Sequence, residues 1–232
     1  MLSDEQIERY SRQIILRQVG GKGQEKLLRS RILVNLTDAM QTSALHYLAA
    51  AGVGNLGVFS SPQNPHLASL ATLQEQNPFH VITRLNPDCS ITFHSREEIK
   101  TVPQRIVQNY DVILSDSDSL HDACYKEKKP FLYATATAQE AQLIVCQGHK
   151  PNSPCLRCVQ PFFPTNSSRS SCAETIALFM GAHLATAALM HILGSASAPE
   201  TQFLHFRFPD FHCSAEIMNK ASTCPLCGPS PP

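Results

Sequence analysis

Two Cys-x-x-Cys pairs are the residues of this chain whose types and spacing most directly specify chemistry. They are Cys155–Cys158 and Cys224–Cys227. Each pair can supply two thiolates to a tetrahedral metal, and four thiolates complete a closed structural zinc site. The spacer 159–223 is longer than in a zinc finger or ribbon, so the metal would join distant parts of an already folded domain. Unpaired thiols and a redox dithiol are the alternatives to structural zinc.

The composition restricts the classes of protein to which the chain can belong. Its 232 residues suffice for one well-buried α/β domain and are few for two. The 19 basic and 19 acidic residues give zero net charge, so nothing favours non-specific binding to nucleic acid or anionic membrane. The start is polar and acidic, and nine cysteines without a signal core indicate a reducing compartment. We therefore expect a cytoplasmic protein without nucleic-acid or membrane partners.

One uncharged segment, residues 175–193, approaches the length that spans a bilayer. It contains His183, His191 and many alanines, and it lacks flanking aromatic or basic anchors. A helix that is apolar on all sides is also typical of the interior of a large domain. We therefore expect a buried helix rather than a membrane span.

Strand and helix patterns alternate along the chain that must position these cysteines. The capping box Ser3-x-x-Gln6 begins a first helix that we expect to end near Gln18, before Gly20-Gly21. Further helices are predicted at 24–28, 42–51, 103–109 and 120–128. Strands are predicted at 32–34, 55–59, 90–94, 111–114, 131–134 and 142–146, with an edge strand at 203–208. This alternation predicts a mostly parallel, doubly wound sheet.

Six ordered segments carry a pattern that spans almost the whole chain. They are RYSRQIIL at 9–16, YLAAAGVGNL at 47–56, LNP at 85–87, YDVIL at 110–114, PCLRC at 154–158 and CPLCG at 224–228. The chain thereby resembles the MoeB/ThiF/HesA adenylyltransferases, the bacterial relatives of ubiquitin-activating enzymes. The resemblance implies one Rossmann-like domain over residues 1–232, with a C-terminal antiparallel extension. It also implies dimer-contacting helices in residues 1–30 and a C-terminal half, 155–227, stapled by structural zinc.

The resemblance further implies ATP-dependent adenylation of the C-terminal Gly-Gly of a small ubiquitin-like protein, often a sulfur carrier. In the family, the first strand runs into a glycine-rich turn over which the nucleotide lies, at a helix N-terminus. This chain has no glycine in the corresponding segment, where Leu36, Asp38, Ala39 and Gln41 occupy the turn. The next strand ends in Phe59-Ser60-Ser61 rather than in the acidic pair that holds the ribose.

The cations that bind phosphate in the family are also missing. No lysine stands between Lys26 and Lys100, and no arginine between Arg31 and Arg84. Arg84 and His80 are interpreted as surface residues. One charge-assisted hydrogen bond to phosphate contributes about 1.5–3 kcal/mol. Losing a lysine, an arginine and the ribose-binding carboxylate therefore costs about 5–8 kcal/mol of binding free energy, or roughly four to six decades of affinity. We therefore expect a degraded ATP site, which places ATP and Mg²⁺ in doubt as cofactors.

Three residues match other functional positions of the family. Asp118 matches the magnesium-binding carboxylate, but because the rest of the nucleotide site is missing we expect it to cap the following helix instead. Arg12 matches an arginine that reaches across the dimer to the partner's ATP, and a surface arginine paired with Glu5 or Glu8 is the alternative. Cys172 matches a cysteine that takes part in sulfur or thioester chemistry in some relatives, and an unused thiol is the alternative.

Two functions follow from this pattern of matches and losses. The first is a non-catalytic homodimer or heterodimer partner, or a scaffold, for a ubiquitin-like sulfur-carrier protein. The second is an active adenylyltransferase of the molybdopterin or thiamine type of pathway, with a nucleotide site rebuilt from other residues.

Overall fold

The computed structural model describes residues 1–60, 80–151, 153–163, 171–195 and 202–228 of the chain. Its helices are α1 Asp4–Ile14, α2 Gly20–Arg29, α3 Ala39–Ala50, α4 His80–Leu85, α5 Arg96–Thr101, α6 Pro103–Val107, α7 Asp118–Lys126, α8 Leu156–Val159 and α9 Ser171–Leu193. Its strands are β1 Arg31–Leu36, β2 Asn55–Ser60, β3 Ser90–His94, β4 Val112–Leu114, β5 Phe131–Ala136, β6 Glu140–Cys146, β7 Gln202–Arg207 and β8 His212–Ile217.

All eight strands form one mixed sheet in the order β3-β2-β1-β4-β5-β6-β7-β8. The five strands from β3 to β5 pair in parallel, and β5 to β8 pair antiparallel. This arrangement confirms the predicted Rossmann-like fold with its C-terminal antiparallel extension. The strand order reverses beside β1, so the carboxyl ends of β1 and β4 flank the crevice where such sheets bind ligands.

Two apolar layers cover the two faces of the sheet. On one face, α9 packs against α3 so closely that a side chain on Gly181 would overlap the Met40 carbonyl. Leu184 and Ala188 of α9 are buried in this layer. On the other face, α7 and the cysteine-bearing segments cover Ile113 and Phe131. The fold therefore places the cysteines on the face opposite α3 and α9.

The uncharged segment forms a helix with one buried and one exposed face. Cys172–Leu193 is long and apolar enough to cross a membrane by length and composition alone, and half of its most apolar window is buried within the fold. Leu178 and Phe179 remain 48% and 42% exposed. The prediction of a buried helix therefore holds for the face that packs on α3, and the opposite face is exposed.

Two predictions, the end of the first helix and the edge position of β7, are wrong for identifiable reasons. The first helix ends at Ile14, and Gly20, with φ +60°, begins α2 instead of terminating α1. Strand β7 is not an edge strand, because it pairs with β6 on one side and with β8 on the other. Most β8 side chains are exposed, so the strand lacks the alternation of apolar and polar residues that signals a half-buried strand.

Candidate functional site

The four predicted metal ligands converge at one buried point. The Sγ atoms of Cys155, Cys158, Cys224 and Cys227 all lie within 4.8 Å of one another. Cys155 Sγ is 3.5 Å from Cys224 Sγ, and Cys158 Sγ is 3.3 Å from Cys227 Sγ. A tetrahedral zinc with bonds of about 2.3 Å separates its sulfurs by about 3.8 Å. The four thiols therefore fit a closed zinc site with little movement.

The surrounding backbone favours thiolates at this point. Burial opposes ionisation of Cys224, but the N–H groups of Cys227 and Leu226, together with the thiols of Cys155 and Cys158, outweigh it and lower the pKa of Cys224 to about 6, whereas burial raises the pKa of Cys227. The N–H of Ala221 donates to Cys158 Sγ at 3.4 Å. Burial raises the pKa of Cys155, so a cation is needed to hold the full set of thiolates.

Helix α7 holds the first cysteine pair through two contacts. The ring of His121 is buried, and its Nε2 accepts the Leu156 N–H at 2.9 Å. The guanidinium of Arg157 forms two hydrogen bonds to the Asp122 carboxylate, of 3.0 and 2.5 Å. His121 and Asp122, which form these contacts, lie one turn after Asp118, the first residue of α7. The metal site and the crevice at the sheet edge therefore share a helix.

The turn between β1 and α3 is closed by its own side chains. Asp38 is the N-cap of α3, and its Oδ1 accepts the Met40 N–H at 2.7 Å. Gln41 Oε1 accepts the Asp38 N–H and the Thr37 hydroxyl, each at 3.2 Å. This capping box uses the N–H groups that a helix N-terminus offers to an anion. The spacing Asp38-x-x-Gln41 is a capping signature that the sequence already contains.

The remaining residues of this turn are part of the core. Leu36 is fully buried, and Ala39 packs in the same apolar layer. Ser60, at the end of β2, is buried, and its hydroxyl donates to the Leu36 carbonyl at 2.7 Å. The position expected to hold a ribose-binding acid therefore ties β2 to β1.

Asn35 and Asp116 form the principal polar contact of the crevice. Asn35 Nδ2 donates to Asp116 Oδ1 at 2.5 Å across the ends of β1 and β4. Sequence reasoning missed this pair, since neither residue belongs to a motif and they are distant along the chain. The parallel register of Val34 with Leu114 brings the two strand ends together.

Asp118 lies at the same edge of the sheet. It is the first residue of α7, and Ser117 is the N-cap, without a side-chain capping bond. The expectation that Asp118 caps the helix through its side chain is therefore wrong. Its exposed carboxylate adds negative charge at a helix N-terminus, where the dipole stabilises it.

The two N-terminal arginines differ in their surroundings. Arg9 forms an ion pair with Asp88, which also accepts a hydrogen bond from the Tyr10 hydroxyl at 3.0 Å. Arg12 is exposed, and within the described ranges no salt bridge is formed with it. The pairing of Arg12 with Glu5 or Glu8 is therefore not found. Arg84 is exposed on α4, as expected.

Cys172 is exposed at the start of α9, beside an open cavity of about 470 Å³. The described residues that line the cavity are mostly apolar, among them Ile176 and Phe208, and none is cationic. Among the described residues that line the cavity, none is a cation that would activate the thiol. Of the four remaining cysteines, Cys89, Cys124 and Cys146 are buried, as is usual for cysteine, whereas Cys213 is exposed on β8.

Comparisons with known proteins agree with this geometry. The profile of the ThiF family matches residues 79–227. The adenylyltransferase and sulfurtransferase MOCS3 of Drosophila yakuba is 30% identical over 252 residues, covering 99% of this chain and 55% of the relative. That of Drosophila willistoni is 32% identical over 216 residues, covering 86% and 45%. The chain thus spans about half the length of the curated relatives it matches.

Solved structures show the same fold at lower identity. E. coli MccB superposes with a TM-score of 0.72 at 16% identity, over 98% of this chain and 74% of MccB. PaaA gives a TM-score of 0.74 at 16% identity, over 95% of this chain and 76% of that protein. E. coli MccB with ATP gives a TM-score of 0.70 at 16% identity, over 95% and 74%.

Proposed function

The chain belongs to the ThiF family, and from this premise we propose that it is a non-catalytic member of the family. It acts as a dimer partner or scaffold for a small ubiquitin-like or sulfur-carrier protein rather than as an adenylyltransferase. The main support is that the Asp38 carboxylate caps the N-terminus of α3, the site over which family members hold the nucleotide.

Three features of the crevice support the loss of ATP binding. Asp38 and Gln41 already occupy the N–H groups and place a negative charge there. Ser60 is bonded to the Leu36 carbonyl and is not available to a ribose. The segments 35–42, 58–60 and 114–119, which end at the crevice, contain no lysine or arginine. Within these segments a triphosphate would meet carboxylates and no lysine or arginine.

Nucleotide binding is the decisive experiment. Isothermal titration of the purified chain with ATP and Mg²⁺ is expected to give no saturable heat, and ATP–pyrophosphate exchange is expected to stay at background. E. coli MccB, which has a structure with ATP, is the positive control for the titration. A dissociation constant in the micromolar range would establish the alternative, an active adenylyltransferase with a rebuilt site.

The dimer is part of the same proposal. Large apolar side chains are exposed on three helices, with Ile15 80% exposed just after α1, Tyr47 on α3 and Phe179 on α9. Each Å² of apolar surface that such an interface removes from water contributes roughly 25 cal/mol to its stability. Sedimentation is expected to show a dimer that Ile15→Asp shifts toward monomer, while Phe211→Asp, in the exposed turn after β7, leaves the mass unchanged. If the wild-type chain sediments as a monomer both by itself and when mixed with an intact relative, the proposed dimer is refuted.

Arg12 gives a test of the heterodimer form. Its exposed guanidinium on α1 has the charge and reach to enter a partner's nucleotide site. In a complex with a catalytically intact relative, Arg12→Ala is expected to lower that relative's adenylation rate, whereas Arg17→Ala is the matched control. An unchanged rate with Arg12→Ala would limit the chain to a scaffolding role.

The proposed carrier protein comes from the family resemblance, and the proposed reducing location rests on the cysteines. The MOCS3 relatives are named as adenylyltransferases and sulfurtransferases. A four-thiolate metal site and nine free cysteines fit a cytoplasmic protein. Co-purification with a ubiquitin-like protein that ends in Gly-Gly would support the partner, and a failure to bind candidate carriers from the same genome would count against it.

A further inference from the structure

Positive charge is concentrated in the segment that contains α2. Residues 12–31 include six of the chain's 19 basic residues and one of its 19 acidic residues, which gives the segment a net charge of +5. Because the whole chain has zero net charge, the remaining residues carry a net charge of −5. The six basic residues are all exposed, and they are Arg12, Arg17, Lys22, Lys26, Arg29 and Arg31. The surface of the protein is therefore strongly basic at this segment although the chain is neutral.

Three of these residues form one stripe along the helix. Lys22, Lys26 and Arg29 are spaced i, i+4 and i+7, which places them on one side of α2. Gln24 and Leu27, the buried residues of α2, lie on the opposite side. The three cations, called the α2 stripe below, span about 10 Å at a rise of roughly 1.5 Å per residue. The stripe therefore faces away from the core along most of the helix.

The stability of the helix does not account for the whole stripe. Lys26 and Arg29 are in the last turn, where the helix dipole favours cations. Lys22 is the third residue of α2, in a first turn without an acidic residue, where the same dipole opposes a positive charge. Arg29 forms a salt bridge of 3.7 Å to Glu25. Neither lysine of the stripe forms a salt bridge within the described ranges, so both ammonium groups are available to a partner.

A cavity of about 390 Å³ adjoins the stripe at the end of α2. Lys26, Arg29, Asp111 and Val112 are among the residues that line it. Val112 begins β4, so the cavity lies at the amino ends of the parallel strands, at the edge of the sheet opposite the crevice. One oxygen of the Asp111 carboxylate already accepts the Arg31 N–H at 2.9 Å. The cavity has the volume of a site for a small organic group, and its two cations outnumber its one acid.

The residues of α2 favour an acidic protein over nucleic acid or a membrane. Proteins that bind single strands offer aromatic side chains on which bases stack, and helices that lie on membranes bury a large apolar face. Helix α2 contains no aromatic residue and none of the large apolar side chains that are exposed. The net charge of −5 outside residues 12–31 also opposes a polyanion that extends beyond the stripe. A short acidic segment of a protein matches both the length and the charge of the stripe.

We propose that the α2 stripe and the adjoining cavity form a docking surface for an acidic segment of a partner protein. Carboxylates of that segment pair with Lys22, Lys26 and Arg29, and one of them enters the cavity. Pairing of exposed charges accelerates association and gives specificity, and it weakens as salt is added. This surface and the nucleotide crevice lie at opposite edges of the sheet, so failure to bind an acidic segment and detection of ATP binding are separate results.

Fluorescence anisotropy with a labelled peptide of six glutamates tests the docking surface. We expect saturable, salt-dependent binding that the triple variant Lys22→Gln/Lys26→Gln/Arg29→Gln weakens about tenfold or more, since its charge-assisted contacts are lost. The matched control removes the same number of exposed lysines and arginines elsewhere and is expected to bind like the wild type. Its changes are Lys100→Gln, Arg105→Gln and Lys126→Gln. Absence of saturable binding, or equal weakening in both variants, would overturn the proposal.

NMR spectroscopy locates the bound peptide. The backbone amide resonances of Ser30 and Val112, which line the cavity, are expected to shift during titration with the peptide. Shifts that leave both resonances unchanged would overturn the assignment of the cavity. A thermal melt near that of the wild type shows that the triple variant is folded. If it is not, the double variant Lys22→Gln/Lys26→Gln, which keeps the ion pair within α2, replaces it in the anisotropy measurement.

Two controls distinguish the acidic segment from other partners. A single-stranded oligothymidylate of equal charge is expected to bind more weakly than the peptide, and tighter binding would overturn the proposal in favour of nucleic acid. Sedimentation of the triple variant is expected to give the mass of the wild type. A change in mass would assign the stripe to contacts between copies of this chain and would also overturn the proposal.

Discussion

The backbone N–H of Leu156 donates to Nε2 of His121 at 2.9 Å, which joins the first cysteine pair to helix α7. Burial lowers the pKa of His121, so the ring is neutral and Nε2 is free to accept. The ring also packs edge-on against Phe131, with centroids 5.2 Å apart. A residue outside the metal set thus fixes the backbone that presents two of its ligands.

Replacing His121 by an apolar side chain of similar size is expected to lower the free energy of unfolding, although little packing is lost. His121→Leu keeps the apolar contact with Phe131 but leaves the Leu156 N–H buried without an acceptor, which costs about 1–3 kcal/mol. Urea denaturation measures the free energy of unfolding. The exposed His212→Leu on β8 is the control, and equal losses in both variants would show that the hydrogen bond contributes nothing specific.

The purified protein is expected to contain one zinc per chain, bound by the four cysteines. Chelation, or Cys224→Ser, is expected to lower stability by roughly several kcal/mol, because metal affinity and folding are coupled. Elemental analysis and thermal melting measure the two effects. Cys213→Ser, which changes an exposed thiol outside the cluster, is expected to keep both the zinc and the melting temperature. A metal-free protein with an unchanged melting temperature would contradict this prediction.

His94 is expected to make stability depend on pH. Its Nε2 lies 2.6 Å from the Tyr110 hydroxyl, and burial, opposed by the charge of Glu98, lowers its pKa below 6.5. As the pH falls through the unfolded value, the unfolded chain binds a proton before the folded one does, so stability decreases. Above that value the contribution of His94 does not change with pH.

The measurement is the free energy of unfolding between about pH 7 and pH 5. His94→Gln is expected to reduce the decrease over this interval without abolishing it, since the variant has no ring to titrate at this position but burial also lowers the pKa of His121. His212→Gln serves as the exposed control. If both variants retain the wild-type slope, the pH dependence originates in other groups.

Asp38→Ala is expected to cost about 0.5–2 kcal/mol, since it removes the N-cap of α3. The same variant is expected to gain no measurable ATP binding, because the cations and the ribose-binding acid are still missing. Thermal melting with and without ATP tests both statements. Asp4→Ala, in the first turn of α1 but outside its capping box, is the control. A rise in melting temperature with ATP would show that the carboxylate alone blocks the site.

The sequence predicted the parallel half of the sheet well, because β1 and β4 contain short continuous apolar runs and β3 alternates polar and apolar residues. Strand β3 has the predicted limits, and β1 and β2 differ by only a few residues. The four cysteines were predicted from their spacing, and their Sγ atoms do converge. Local sequence patterns were sufficient to predict a strand or a metal ligand pair wherever one short segment contained all the residues that define it.

The features that were missed depend on contacts between distant segments. The Asn35–Asp116 pair arises only when β1 and β4 lie in register. Strand β8 is held by its pairing with β7, and its exposed side chains carry little pattern. His121 has no signature in the sequence, since its role is defined by a backbone N–H at Leu156. Such roles follow from topology rather than from composition.

A helix terminus that satisfies its own N–H groups keeps its shape without a ligand. Ligands stabilise proteins by mass action in proportion to their preference for the native state. Because Asp38 and Gln41 already close the turn before α3, little of its order depends on a dissolved molecule. If the chain binds no nucleotide, as we propose, its folded population is expected to be independent of the nucleotide concentration around it.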